Sequence, residues 1–119
     1  MPDLKVESLP MTDVPDGIII QPQGFIDTTT APEIEKFIES ALSQKKYKIA
    51  VDLKDVDFIS SAGWGVFVSE IRDIRENNGD LTLVNMVPDV YDVYELMEFS
   101  SILKSFDSIE DAINYYKAI

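Results

Sequence analysis

Apolar positions along this chain repeat with two periods. Ile34, Phe37, Ile38, Ala41 and Leu42 fall at i, i+3, i+4, i+7 and i+8, one face of a helix. Thr28, Thr29 and Thr30 stand before them as N-cap candidates, and Pro32 suits a first turn, so a helix is predicted to about residue 44. Lys45, Lys46 and Lys48 follow, where positive charge suits the helix dipole. Trp64, Phe67, Val68, Ile71 and Ile74 mark a second helix, from the serines at 60 and 61 to about residue 78, with Gly79 as its stop. Val90, Val93, Tyr94 and Met97 form a third after Pro88. Ile109, Ala112, Ile113 and Tyr116 form a fourth, entered through Ser108-Ile109-Glu110-Asp111, which has the form of a capping box.

Short runs rich in β-branched residues separate these helices and predict strands over 17–24, 48–53, 81–86 and about 102–106. Phe58 and Ile59 continue an apolar approach to Ser60-Ser61-Ala62-Gly63. Asp16-Gly17 reads as a turn. The polar first sixteen residues, with Pro2, Pro10 and Pro15, read as an extension or an edge strand around 4–8. The order β(β)αβαβαβα predicts an α/β fold, a mostly parallel or mixed sheet with helices packed on it. A length of 119 residues suits one domain over 1–119, with its core in 17–119.

Composition narrows the chemistry. Twenty-two acids against ten bases leave a net charge of -12, which argues against nucleic acid and against anionic membrane surfaces as partners. The apolar runs are too short to span a bilayer, and the start lacks the basic-then-apolar pattern of a signal peptide, so the cytoplasm is the expected location. With no cysteine and no histidine, the chain has no thiolate nucleophile, no Cys-ligated metal centre and no Ser-His-Asp triad.

The most distinctive stretch is Asp57-Phe58-Ile59-Ser60-Ser61-Ala62-Gly63-Trp64-Gly65. Serines at a helix start can cap free backbone N–H groups, and a phosphate there would meet the positive end of the helix dipole. The glycines do not form a phosphate-binding loop, because no Gly-Lys-Ser/Thr follows them. Asp52, Asp55 and Asp57 lack the spacing of a calcium loop and are expected to form a solvated strand exit. Asp27 ends a predicted strand, so it either caps the next helix or approaches Ser61 at the shared edge of a parallel sheet. Trp64 and Phe67 are core residues or an apolar contact surface beside Ser61, and Tyr91, Tyr94, Tyr115 and Tyr116 are packing aromatics.

Gly24-Phe25-Ile26-Asp27, Val51-Asp52-Leu53, the serine–glycine segment, Gly79-Asp80-Leu81-Thr82-Leu83-Val84, and the 93–99 and 106–112 segments together resemble the anti-sigma-factor antagonist family, the single-domain form of the STAS fold. The resemblance covers about residues 17–119 and implies a mixed central sheet with about four helices. In that family the segment reads Asp-Ser-Ser/Thr-Gly-Leu-Gly, with the serine after the Asp phosphorylated. Aligned on Gly63 and Gly65, that serine is Ser61; the family Asp falls on Ser60, a second candidate hydroxyl, and the following positions on Ala62 and Trp64. The resemblance implies a binding switch with no enzymatic activity and no cofactor. Asp27, Ser60, Ser61, Ala62, Gly63 and Trp64 would form the partner surface. The partner would be an anti-sigma factor that is also an ATP-binding serine kinase, its capture would free a sigma factor for transcription, and a serine phosphatase would restore the binding form. The alternative is a STAS interaction module or scaffold subunit that is never phosphorylated. A receiver domain or hydrolase fits poorly: the early acidic pair is missing, and Asp52 sits within its strand.

Overall fold

The computed structural model describes residues 4–119, so the first three residues of the expected extension lie outside it. Strands β1 (Lys5–Met11) and β2 (Val14–Ile26) form an antiparallel hairpin. Then come α1 (Ala31–Ser43), β3 (Lys48–Asp52), β4 (Asp55–Ile59), α2 (Ser61–Glu76), β5 (Asp80–Val84), α3 (Pro88–Leu96), a 3-10 turn (Phe99–Ser101), β6 (Lys104–Phe106) and α4 (Ile109–Lys117). The sheet runs β1-β2-β3-β5-β6, and every pairing other than β1–β2 is parallel. This is the expected mixed α/β sheet with four helices.

The long β2 organises the sheet. Its first half pairs with β3 from Gly17 to Ile20, and its second half pairs with β4 from Gln23 to Ile26. α1, α2 and α3 cover one sheet face through Ile34, Ile38, Trp64, Phe67, Ile71, Ile74, Val90 and Tyr94. α4 covers the other through Ala112 and Tyr116, against Met11, Val14, Ile19, Ala50 and Val84. The helix periods read from the sequence face these apolar layers, except that in the third only Val90 and Tyr94 do so, while Val93 and Met97 are exposed.

Three local expectations change. The hairpin turns at Thr12 and Asp13, not at Asp16-Gly17, because Asp13 takes the left-handed φ of 62° and Gly17 lies inside β2. There a Cβ on Gly17 would come within 2.9 Å of Met11 Cβ, beside the irregular pairing at Pro10 and Met11. α2 is stopped by Asn78, with φ 64°, rather than by Gly79. Gly79 is needed for a close approach instead: a Cβ there would lie 1.9 Å from the Tyr47 carbonyl oxygen.

The third change concerns the acidic cluster. Asp55 and Asp57 are exposed, but Asp52 is buried. Its carboxylate accepts from Gln21 Nε2 at 3.3 Å, Asn85 Nδ2 at 3.2 Å and the Lys54 backbone N–H at 3.2 Å, with Lys54 Nζ at 3.7 Å. It ties the ends of β3 and β5 to the middle of β2 and is no solvated exit.

Tyr116 anchors α4. Its ring is buried, and its hydroxyl donates to the Ile49 carbonyl and lies 2.9 Å from that of Asp80. Burial is the main cause that holds its ionisation well above the ordinary tyrosine value. Tyr115 beside it, desolvated and bonded to Asp80, is pushed up to about 12. A folded-state value above the unfolded one means that the unfolded chain ionises first. Stability is therefore intact below about pH 10 and declines above it as the unfolded chain loses its protons. Tyr116→Phe is expected to cost about 1–2 kcal/mol at neutral pH and to flatten the loss between about pH 10 and 12, read as urea midpoints across that range.

Candidate functional site

The site forms where β2 and β4 end together. Ile26 pairs with Ile59, and the Ser60 N–H donates to the Ile26 carbonyl at 2.8 Å. Asp27 and Ser60 therefore leave adjacent strands at one edge, and α1 and α2 begin from them. Asp27 and the Ser60-Ser61 segment are neighbours, as the parallel layout allows. Asp27 also fixes the turn that leads into α1. Its Oδ1 accepts from the N–H groups of Thr29 at 2.9 Å and Thr30 at 3.0 Å, ahead of α1. Thr30 is the residue before the first turn, but its hydroxyl is turned back to the Phe25 carbonyl at 2.7 Å and makes no cap. Asp27 therefore holds the turn ahead of α1, whose N-cap is Thr30, and shares the sheet edge with Ser60.

The two serines have different situations. Ser60 is the N-cap of α2, half-buried, and its Oγ accepts from the Gly63 N–H at 3.3 Å. Ser61 is the first helical residue and is exposed, and among the described residues its hydroxyl has no hydrogen-bond partner. A charge added to Ser61 would meet the positive end of α2, which holds no acid in its first turn, and would leave the cap in place.

Gly63 sits on the seam between the two strands. A Cβ there would lie 2.7 Å from Ile26 Cγ2, 2.8 Å from Ile59 Cγ2 and 3.2 Å from the Ile26 carbonyl oxygen. Only a residue without a side chain lets the first turn of α2 settle on the strand ends. Gly65 faces open space. Ala62 is half-buried. Trp64 is buried, stacked on Phe99 at 4.8 Å between ring centroids and edge-on to Phe67 at 6.3 Å. Of the six positions expected at the partner surface, Asp27, Ser60, Ser61 and Ala62 reach solvent, while Gly63 and Trp64 lie beneath them.

Two residues outside that set belong to the same edge. Phe25 and Phe58 are 43% and 51% exposed, with ring centroids 6.3 Å apart and edges to faces. Simple alternation from the buried Val56 would turn Phe58 inward and Ile59 outward. The β2–β4 pairing reverses this. Gly24 pairs with Val56 but Phe25 with Phe58, so β4 carries one extra residue at Asp57. Gly24 opposite it takes a φ of 122°, which L side chains rarely adopt. The bulge buries both Val56 and Ile59 and puts Phe58 outside. Its sequence signal was Gly24 facing an acid–aromatic step. Beside Phe58 a pocket of about 230 Å³ opens over Trp64 towards Val93, with Asp57 and Asp89 on its lining. Val93, Leu96 and Met97 continue the exposed apolar surface along α3.

This architecture matches known proteins. The STAS domain family matches residues 9–112, and the chain belongs to it. The anti-sigma-B factor antagonist of Listeria monocytogenes is 27% identical over 99 residues, covering 83% of this chain and 86% of that protein. Among solved structures, TM1081 of Thermotoga maritima superposes with a TM-score of 0.85 at 25% identity, covering 93% of each chain. The anti-sigma factor antagonist SpoIIAA in its unphosphorylated form shares the fold, with a TM-score of 0.71 at 20% identity over 98% of this chain and 99% of that one. SpoIIAA of Bacillus is also known in a phosphorylated form, with a TM-score of 0.66 over 94% of this chain and 97% of that one. No helix among the described residues is long and apolar enough to cross a membrane.

The two glycines of the segment should respond in opposite directions. Gly63→Ala is expected to destabilise by about 1–3 kcal/mol, because the seam must open. Gly65→Ala is expected to stabilise by about 0.5–1 kcal/mol through helix propensity alone. Urea unfolding midpoints of the two variants check this pair.

Proposed function

We propose that this protein is an anti-sigma factor antagonist in which a phosphate on Ser61 switches binding. The observation that carries this reading is the contrast between the serines: Ser60 is committed to the cap, and Ser61 presents a free hydroxyl at the exposed first turn. The unmodified protein binds an anti-sigma factor that is also an ATP-binding serine kinase, and so frees a sigma factor for transcription. The kinase phosphorylates Ser61, and a serine phosphatase removes the group. The chain acts as one domain in the cytoplasm and takes no nucleic acid or membrane partner. The names of its relatives and the two phosphorylation states of SpoIIAA support this reading.

The physical basis is local. The partner covers Ser61, Asp27 and the apolar Phe25–Phe58 pair, with Gly63 and Trp64 shaping the surface from below. A phosphate adds about -1.5 to -2 charges at neutral pH. It adds to Asp27 at the same sheet edge, on a chain already at -12. Burying that charge against a docked surface costs desolvation and repulsion, while the helix start keeps the protein folded. A hundredfold loss of affinity needs only about 3 kcal/mol.

Incubation with the cognate kinase and ATP is expected to add one phosphate, placed on Ser61 by peptide mass analysis. The gain should vanish in Ser61→Ala and persist in Ser60→Ala. A gain confined to Ser60, or none, overturns the assignment. The phosphorylated protein should bind its partner about a hundredfold more weakly by calorimetry.

The departure of Ser60 from the family acid favours a second reading, a STAS module that binds without being phosphorylated. Ser61→Asp separates the two, since binding equal to wild type belongs to the second reading. In either case Phe58→Ala should weaken partner binding at least tenfold with an unchanged thermal midpoint, because its ring is half outside the fold. Parallel titration and melting measurements check this.

A further inference from the structure

α3 is apolar over a wider arc than the core covers. Val90 and Tyr94 are buried against the sheet side. Val93, Leu96 and Met97 lie beside them, at i, i+3 and i+4 of one another. They are 38%, 80% and 59% exposed. A single exposed apolar side chain is ordinary, but a contiguous stripe of them on one helix marks a contact surface.

The stripe leads into a pocket. Val93 also lines the cavity of about 230 Å³ that opens over Trp64 beside Phe58. That volume falls below the about 300–1,000 Å³ typical of small-molecule sites, so the cavity suits one inserted side chain better than a free ligand. Its floor is firm, because Trp64 is stacked on Phe99 and packed against Tyr94.

Charge decides the occupant. The charged residues on the lining are Asp57 and Asp89. Asp92, Glu95 and Glu98 stand exposed along the helix and just past its end, and no lysine or arginine occurs between Arg75 and Lys104. A second copy of this chain would set the same acids against these, and like charges across an interface cost affinity. Anionic lipid and nucleic acid are repelled for the same reason. The complement is an apolar surface bordered by lysine or arginine. A helix with apolar residues at i, i+3, i+4 and i+7 supplies that shape, its ridge along the stripe and its bases at the border.

We propose that the groove between α3 and Phe58 docks a basic amphipathic helix of a partner protein. One large apolar side chain enters the pocket over Trp64, others lie along Val93, Leu96 and Met97, and lysines or arginines face Asp57, Asp89 and Asp92. This docking stands apart from the switch, because it needs no phosphate on Ser61.

The test is an anisotropy titration of the full chain with a labelled synthetic peptide of about 14 residues, about four helical turns. Leucines sit at the stripe spacing and lysines elsewhere. One-to-one binding is expected. The same peptide with glutamate for lysine, and one of unchanged composition with its leucines spread around the helix, should each bind at least tenfold more weakly. Leu96→Ser combined with Met97→Ser should weaken binding at least tenfold with an unchanged thermal midpoint, since both side chains stand outside the fold. Asp57→Asn combined with Asp89→Asn should weaken it and flatten its salt dependence. Ser61→Ala should bind the peptide as wild type does, so a failure here and a failure of the phosphate switch are told apart. No binding of the basic peptide up to about 1 mM overturns the proposal, as does equal binding of either control peptide. A dimer seen by sedimentation that the Leu96 and Met97 changes dissolve also overturns it, and assigns the groove to a second copy.

Discussion

The parallel pairing of the last residues of β2 with the last residues of β4 is the contact on which the site depends. It brings Ile26 beside Ile59, lets the Ser60 N–H bond the Ile26 carbonyl, and starts two helices from one edge. The pairing is possible because β2 is thirteen residues long and changes partner halfway, from β3 to β4. Gly63 then lets α2 rest on the two isoleucines without a gap or a clash. Without that pairing, Asp27 and Ser61 would belong to unrelated segments of the chain.

Bonded and unbonded side chains alternate between neighbouring residues at this edge. Asp27 holds the turn before α1 and contributes charge to the edge; Ser60 caps α2; the Ser61 hydroxyl holds no structural bond among the described residues. Trp64 is locked among Phe67, Tyr94 and Phe99, so it supports the surface and does not touch a visitor. The Phe25–Phe58 pair supplies the exposed apolar surface that Trp64 does not. A surface built this way can change charge while the packing beneath it stays fixed.

The parts of this design readable in the sequence were those set by a regular period. The four helices, the strands other than β4 and the serine–glycine segment follow from spacing and from N-cap and turn chemistry; β4 was read only as an apolar approach to the serines. What escaped depended on neighbours distant in sequence. Asp52 looked like a strand exit, because nothing in its local sequence says that β2 continues past it to Ile26 and leaves Gln21 alongside. Phe58 was read with Ile59 as one apolar approach, and their opposite facing was not legible, because alternation holds only while both strands advance in step and β4 gains a residue opposite Gly24. Gly79 looked like a helix stop, but Asn78 takes the left-handed turn, and the missing Cβ answers instead to Tyr47 on another element. The difference between Ser60 and Ser61 was likewise invisible until the helix start was fixed to a single residue.

The borders of the sheet have a consequence of their own. β1 carries Pro10, an irregular step beside it, and a charged Lys5 and Glu7 along its outer side; β6 at the opposite border is three residues long. Neither border offers a long flat ladder of free amides and carbonyls to another chain. Associations by strand addition are thus discouraged at both margins, in the manner that keeps β-rich proteins from stacking into fibres. Contact with another chain is left to side chains standing clear of the sheet, which can be exchanged without disturbing its ladder.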